Sequence, residues 1–123
     1  MKTAILVLSD PNAGEEALGR VFNALAVAHD FKQAGEDVRV LFAGTGTRWI
    51  AELANPENPV HGLFGLVKDK VAGVSQGCAV VFGAAEEVQD SAFDFANDNP
   101  IPGTAGLPGV RKLVADGYSV LTF

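Results

Sequence analysis

Apolar residues in this chain fall into two kinds of run. Thr3-Ala4-Ile5-Leu6-Val7-Leu8, Val38-Arg39-Val40-Leu41-Phe42-Ala43 and Val71-Ala72-Gly73-Val74-Ser75 are short and almost continuous. They lack the alternation of a half-exposed strand and predict strands covered on both faces. Between the first two runs the spacing changes. Leu18, Val21, Phe22, Leu25, Ala28 and His29 recur at intervals of three and four, which predicts a long helix with His29 packed on its apolar side. Glu15 and Glu16 suit its N-terminus and Gly35 its stop. The turn formers Ser9-Asp10-Pro11-Asn12 separate strand from helix.

After the second strand, Gly44-Thr45-Gly46-Thr47 leads into a short helix with Trp49, Ile50 and Leu53, closed by Asn55-Pro56. A loop with a helical turn or two around Leu63, Phe64 and Val67 precedes the third strand. Beyond that strand, Cys78, Val81, Phe82, Ala85 and Val88 lie on one helical stripe; the run Cys78 to Phe82 also reads as a strand, and periodicity alone does not separate the two. The helix is the preferred reading. Phe93 to Ala96 reads as a short strand, residues 97–103 as a loop, Val110, Leu113 and Val114 as a helix ended by Gly117, and residues 118–123 as the last strand. Strands alternating with helices imply a three-layer α/β/α sandwich with a mostly parallel sheet of about five strands, flavodoxin-like in layout. Residues 1–123 form one domain, with 48% hydrophobic residues to build its core.

Charge narrows the functions open to such a domain. Nine Lys and Arg against 15 Asp and Glu give a net charge of −6, which disfavours nucleic acid or an anionic membrane surface as partner. The first apolar stretch, Ala4 to Leu8, is far short of the roughly 20 residues that span a bilayer, and a cytoplasmic location is expected. One cysteine excludes an intramolecular disulfide and a self-contained Cys-rich metal site. Two histidines without ligand spacing point away from a catalytic metal, and no Ser-His-Asp order or nucleophile elbow is present. No cofactor is expected. Glu86, Glu87, Asp90, Asp94 and Asp98 read as a solvated acidic face.

In parallel α/β sheets ligands gather beyond the carboxyl ends of the strands. At such an end, Ser75-Gln76-Gly77-Cys78 sets the only thiol at the start of a helix, where free backbone N–H groups favour a thiolate. The competing reading makes Cys78 a small buried hydrophobe. Thr45, Thr47 and Arg48 offer hydroxyls and a cation that would hold a small anion; the plainer reading is a strand-to-helix turn with Thr47 as N-cap. The motif is neither a P-loop nor Gly-x-Gly-x-x-Gly. His61, in the Pro-rich loop, is placed to approach a site.

The order of these segments resembles the DsrE/DsrF-like family of small sulfur-relay proteins. The resemblance runs through the opening strand, the segment Ala34-Gly35-Glu36-Asp37-Val38-Arg39-Val40-Leu41-Phe42, the cysteine after the third strand, and the closing Leu113-Val114-Ala115-Asp116-Gly117-Tyr118-Ser119-Val120-Leu121-Thr122-Phe123. It implies a doubly wound sheet, assembly into a homo-oligomer (dimer, trimer or hexamer), and a cysteine that carries persulfide sulfur between donor and acceptor proteins. Cys78 alone can inherit that role. Similar sequences often have a second cysteine where this chain has Ser75, and Gly-His-Pro where it reads Gly106-Leu107-Pro108. Their loss removes disulfide chemistry and a base, and leaves single-cysteine relay possible. Two functions follow as expectations: persulfide relay through Cys78, with Ser75, Gln76 and Gly77 beside it, or a non-catalytic anion-binding or interaction module using Thr45, Thr47 and Arg48. Trp49, Phe64 and Phe93 fall in or near segments that a small monomer would struggle to cover, which suits a subunit contact, and the other reading places them in the chain's own core.

Overall fold

The computed structural model describes all 123 residues. Five strands and six helices alternate: β1 (Lys2–Val7), α1 (Glu15–Gln33), β2 (Asp37–Phe42), α2 (Trp49–Ala54), α3 (His61–Val67), β3 (Val71–Ser75), α4 (Gln76–Val81), α5 (Ala85–Gln89), β4 (Phe95–Ala96), α6 (Val110–Ala115) and β5 (Ser119–Thr122). A 3-10 turn, Gly44–Arg48, joins β2 to α2, and another, Lys68–Lys70, precedes β3. All strand pairs are parallel, in the order β4-β3-β2-β1-β5. The chain therefore steps outward from β1 to β4 and returns to the far side of β1 with β5.

Register explains the layers. Thr3, Ile5 and Val7 lie beside Val38, Val40 and Phe42 and point to the same face, where all but Thr3 pack with α1, α2, α3 and Val88 of α5 into one cluster of 18 buried residues. The other face is covered by α6, which has no buried residue, so this third layer is thin. Arg39, in register with Ala4 on that face, stays exposed.

Several expected details change. In α1 the buried residues are Ala17, Val21, Ala24, Leu25 and Ala28. Phe22 is 50% exposed, because three alanines bring the helix close to the sheet and turn the larger ring outward. His29 is half-buried, near Gln33. The strand alternative for Cys78–Phe82 falls, since these residues follow a capped helix start. The single helical stripe is also corrected: α4 and α5 are separate helices, divided by Gly83 at φ +75, a left-handed conformation that stops a helix. Ala79 and Val88 face the core, while Val81 is 70% exposed. Thr47 does not cap α2; its hydroxyl donates to the Gly44 carbonyl inside the 3-10 turn. Trp49 and Phe64 are buried in the chain's own core, and Phe93 packs against it, which removes them as surface for a subunit contact. Trp49 Nε1 donates to the Ser9 carbonyl at 2.8 Å, tying α2 to the loop after β1.

At the amino end of the sheet, buried Tyr118 donates its hydroxyl to Asp37 at 2.6 Å, with the Arg39 guanidinium 4.7 Å from its ring centroid. The hydrogen bond to the Asp37 carboxylate raises the Tyr118 pKa above its ordinary 10.0, because a phenolate there would face a second negative charge. The folded chain thus holds this proton to higher pH than the unfolded chain. Its contribution is complete below pH 10 and is lost as pH rises through the folded value. Tyr118→Phe should flatten the decline of stability above pH 10, measured as urea midpoints across an alkaline series; an unchanged decline would remove Tyr118 as its source.

Candidate functional site

At the carboxyl end of β3 there is no loop. Ser75, fully buried, is both the last strand residue and the N-cap of α4, and its Oγ accepts the backbone N–H of Cys78 at 3.3 Å. The thiol thus sits in the first turn of α4, half-buried and unpaired. A second segment folds over the helix start. Gly77 N–H donates to the Gly106 carbonyl at 2.7 Å, Asn97 Nδ2 donates to Gln76 Oε1 at 2.9 Å, and Asn99 and Leu107 form a two-bond bridge that closes the intervening loop. Two glycines make this contact possible. A Cβ on Gly77 would lie 3.0 Å from the Gly106 carbonyl oxygen and 3.1 Å from Leu107 Cδ1. Gly106 has φ +97, and a Cβ on it would lie 2.7 Å from the Asn97 carbonyl oxygen.

This packing corrects one expectation. The N–H groups of Gly77 and Cys78 are already bonded, and α4 has only six residues, so the helix start is not an open cradle for a negative charge. Ser75 and Gly77 are buried and only Gln76 and Cys78 are partly exposed, and Leu107, at the position where the resemblance expects histidine, packs on Gly77.

The other end of α4 is held by Arg48. Its Nε donates to the Phe82 carbonyl at 3.1 Å, its Nη1 to Asp10 at 2.9 Å, and its guanidinium lies 5.8 Å from the Phe82 ring centroid. A six-residue helix has little stability of its own, so these contacts set its place. Thr45 Oγ1 donates to the Leu8 carbonyl and buried Thr47 to Gly44. All three side chains expected to hold an anion are therefore engaged within the chain. The link from Arg48 to Asp10 went unread in the sequence; nothing local signals a pairing across 38 residues. His61 pairs with the Leu53 carbonyl through Nδ1 at 2.7 Å and lies outside this group.

The principal clefts are lined by residues other than Cys78. The largest, about 400 Å³, opens between Leu8, Ser9, Asp10, Glu16, Arg20 and Phe123 at the carboxyl ends of β1 and β5. A second, about 220 Å³, is bordered by Thr47, Arg48, Glu52, Phe82 and Glu87. No three His, Cys, Asp or Glu side chains come together to hold a metal ion, and no helix is long and apolar enough to cross a membrane.

Fold and site together define a parallel α/β domain with a single thiol at the carboxyl edge of its sheet. The DsrE/DsrF-like family profile matches residues 1–123, and the chain belongs to that family. It is 25% identical over 121 residues to the uncharacterised protein MJ0733 of Methanocaldococcus jannaschii, covering 98% of this chain and 94% of that one. No solved structure matches the chain.

Proposed function

We propose that the protein handles sulfur by carrying a persulfide on Cys78. The observation that carries this reading is the half-exposed, unpaired thiol on α4, at the carboxyl edge of β3, in a chain of the DsrE/DsrF-like family. The chemistry is balanced exchange. The Cys78 thiolate attacks the outer sulfur of a donor persulfide R–S–SH, forming Cys78–S–SH and releasing the donor thiolate; an acceptor thiolate then attacks that outer sulfur and Cys78 leaves as thiolate. Ser75 takes no proton in this scheme; it holds the Cys78 N–H and so fixes the backbone under the sulfur. The test is incubation with inorganic polysulfide followed by mass spectrometry of the intact protein and its peptides. A gain of one sulfur on Cys78 is expected; no gain, together with a thiol inert to alkylation, would overturn the proposal.

An anion-binding module is the less favoured reading, because Thr45, Thr47 and Arg48 already have partners. Titration with sulfate or phosphate should give no saturable signal, and Arg48→Ala should lower stability by about 1–2 kcal/mol, the worth of a partly exposed charged hydrogen-bond pair. A saturable anion signal lost in Arg48→Ala would reverse that preference. Homo-oligomeric assembly rests on the family likeness and on the thinly covered sheet face beside α6. Light scattering on the eluted protein would give a multiple of 12.8 kDa, and a mass at 12.8 kDa would overturn it.

A further inference from the structure

The winding of the sheet marks a place for a ligand away from Cys78. From β1 the chain adds β2, β3 and β4 in one direction, then brings β5 to the other side of β1. β1 and β5 are therefore the neighbours at which the winding reverses. In open α/β sheets, ligands bind in the crevice beyond the carboxyl ends of such a pair. The largest cleft of the molecule, about 400 Å³, opens there, walled by the loop after β1, the first two turns of α1 and the end of β5. That volume falls in the range of small-molecule sites. Cys78 does not line it, so the inference is independent of the sulfur chemistry.

The lining selects the class of ligand. Leu8, Ala13, Ala17 and Phe123 give it an apolar wall, and Leu8 is 43% exposed. Asp10, Glu16 and Arg20 add two negative charges and one positive. The Asp10 carboxylate accepts Arg48 Nη1 on one oxygen and the Asn12 N–H on the other, and each oxygen keeps a further lone pair. Glu16 and Arg20 meet through a single oxygen. Arg20 Nη2 and Nε both donate to Glu16 Oε1, at 2.6 and 3.2 Å, which leaves Glu16 Oε2 and Arg20 Nη1 without a partner. This pair spans one turn of α1 and is exposed, so solvent screens it and it opens at little cost. A phosphate or other polyanion is disfavoured. The positive end of α1 already faces Glu15 and Glu16, and the acids of the lining outnumber its one base.

We propose that this cleft binds a free α-amino acid with an apolar side chain. The ligand enters the Glu16–Arg20 pair, with its ammonium toward Glu16 and Asp10 and its carboxylate toward Arg20, so that one ion pair becomes two charge-assisted contacts. Its side chain lies against Leu8 and Phe123, where burial of apolar surface adds to binding.

The test is titration of the isotope-labelled full chain, followed by backbone amide chemical shifts, with leucine, phenylalanine and methionine. N-acetylleucine, leucinamide and inorganic phosphate are the comparison ligands. The amides of Ala13, Ala17, Arg20 and Thr122 should shift saturably with the three amino acids at millimolar concentration. N-acetylleucine lacks the ammonium and leucinamide lacks the carboxylate; each should bind on the order of tenfold more weakly than leucine, the worth of one charged hydrogen bond. Arg20→Gln should erase the advantage of leucine over leucinamide while leaving the urea midpoint nearly unchanged, since Arg20 is exposed. Ala13→Trp, also at an exposed position, should fill the cleft and abolish the shifts. The proposal is overturned by the absence of a saturable shift with all three amino acids, or by equal binding of leucine, N-acetylleucine and leucinamide. Saturation of the same amides by phosphate would overturn it in favour of an anion site.

Discussion

Cys78→Ser should abolish sulfur acquisition completely while leaving the fold intact. The chain has no other thiol, so no second residue can accept a sulfane sulfur or resolve a mixed disulfide. Serine is nearly isosteric, and the Cys78 backbone contacts, its N–H to Ser75 and its carbonyl to the Phe82 N–H at 2.9 Å, do not involve the sulfur. The expected change in stability is therefore below about 1 kcal/mol, the range of surface substitutions away from special features. Mass spectrometry after polysulfide treatment reads the chemistry, and a urea unfolding curve reads the fold. A one-sulfur adduct persisting in the serine variant would place the chemistry on another group and end the case for Cys78. The companion change, Ser75→Ala, separates position from reactivity. It leaves the thiol but removes the cap, costing about 1 kcal/mol.

The strands were legible because each is a continuous apolar run, and the parallel sheet followed from their alternation with helices. The thin third layer was not legible, although Arg39 inside β2 is a visible clue: a charged side chain between Val38 and Val40 signals one poorly covered face. The break between α4 and α5 was hidden because Gly83 stands among apolar residues that keep helical spacing on either side. Periodicity also chose the wrong face. Counting from Cys78 put Val81 on the stripe, but Ala79 is the residue that meets the core, since the Ser75 cap and the Gly77 contact with Gly106 fix the rotation of α4. The position of the thiol at a strand-to-helix junction was readable from Ser75-Gln76-Gly77-Cys78. What holds that junction was not, because Arg48 with Asp10 and Gly77 with Gly106 are tertiary contacts between residues far apart in the chain.

Gly46 gives the sharpest test of how that tertiary frame reaches the site. The 3-10 turn that contains it lies against the end of β1, where Ala43 N–H donates to the Val7 carbonyl at 3.0 Å and Thr45 Oγ1 to the Leu8 carbonyl. A Cβ on Gly46 would collide with the Val7 carbonyl oxygen and lie 2.9 Å from its carbon, against central-strand backbone that cannot yield. The turn would have to lift, taking with it Arg48, which holds the end of α4, and Trp49, which is buried and bonded to Ser9. Gly46→Ala should therefore cost about 3 kcal/mol or more, the upper end for overpacking. It should also change the alkylation rate of Cys78 under conditions where the protein remains folded, because α4 loses its Arg48 anchor. Gly19→Ala is the matched control: Gly19 lies inside α1, with nothing within 4 Å of a new Cβ, and alanine there should stabilise by about 0.5–1 kcal/mol without touching Cys78 reactivity. Urea midpoints and alkylation rates measured on both variants decide the matter. Equal and small effects of the two substitutions would show that the turn does not bear on β1 as described.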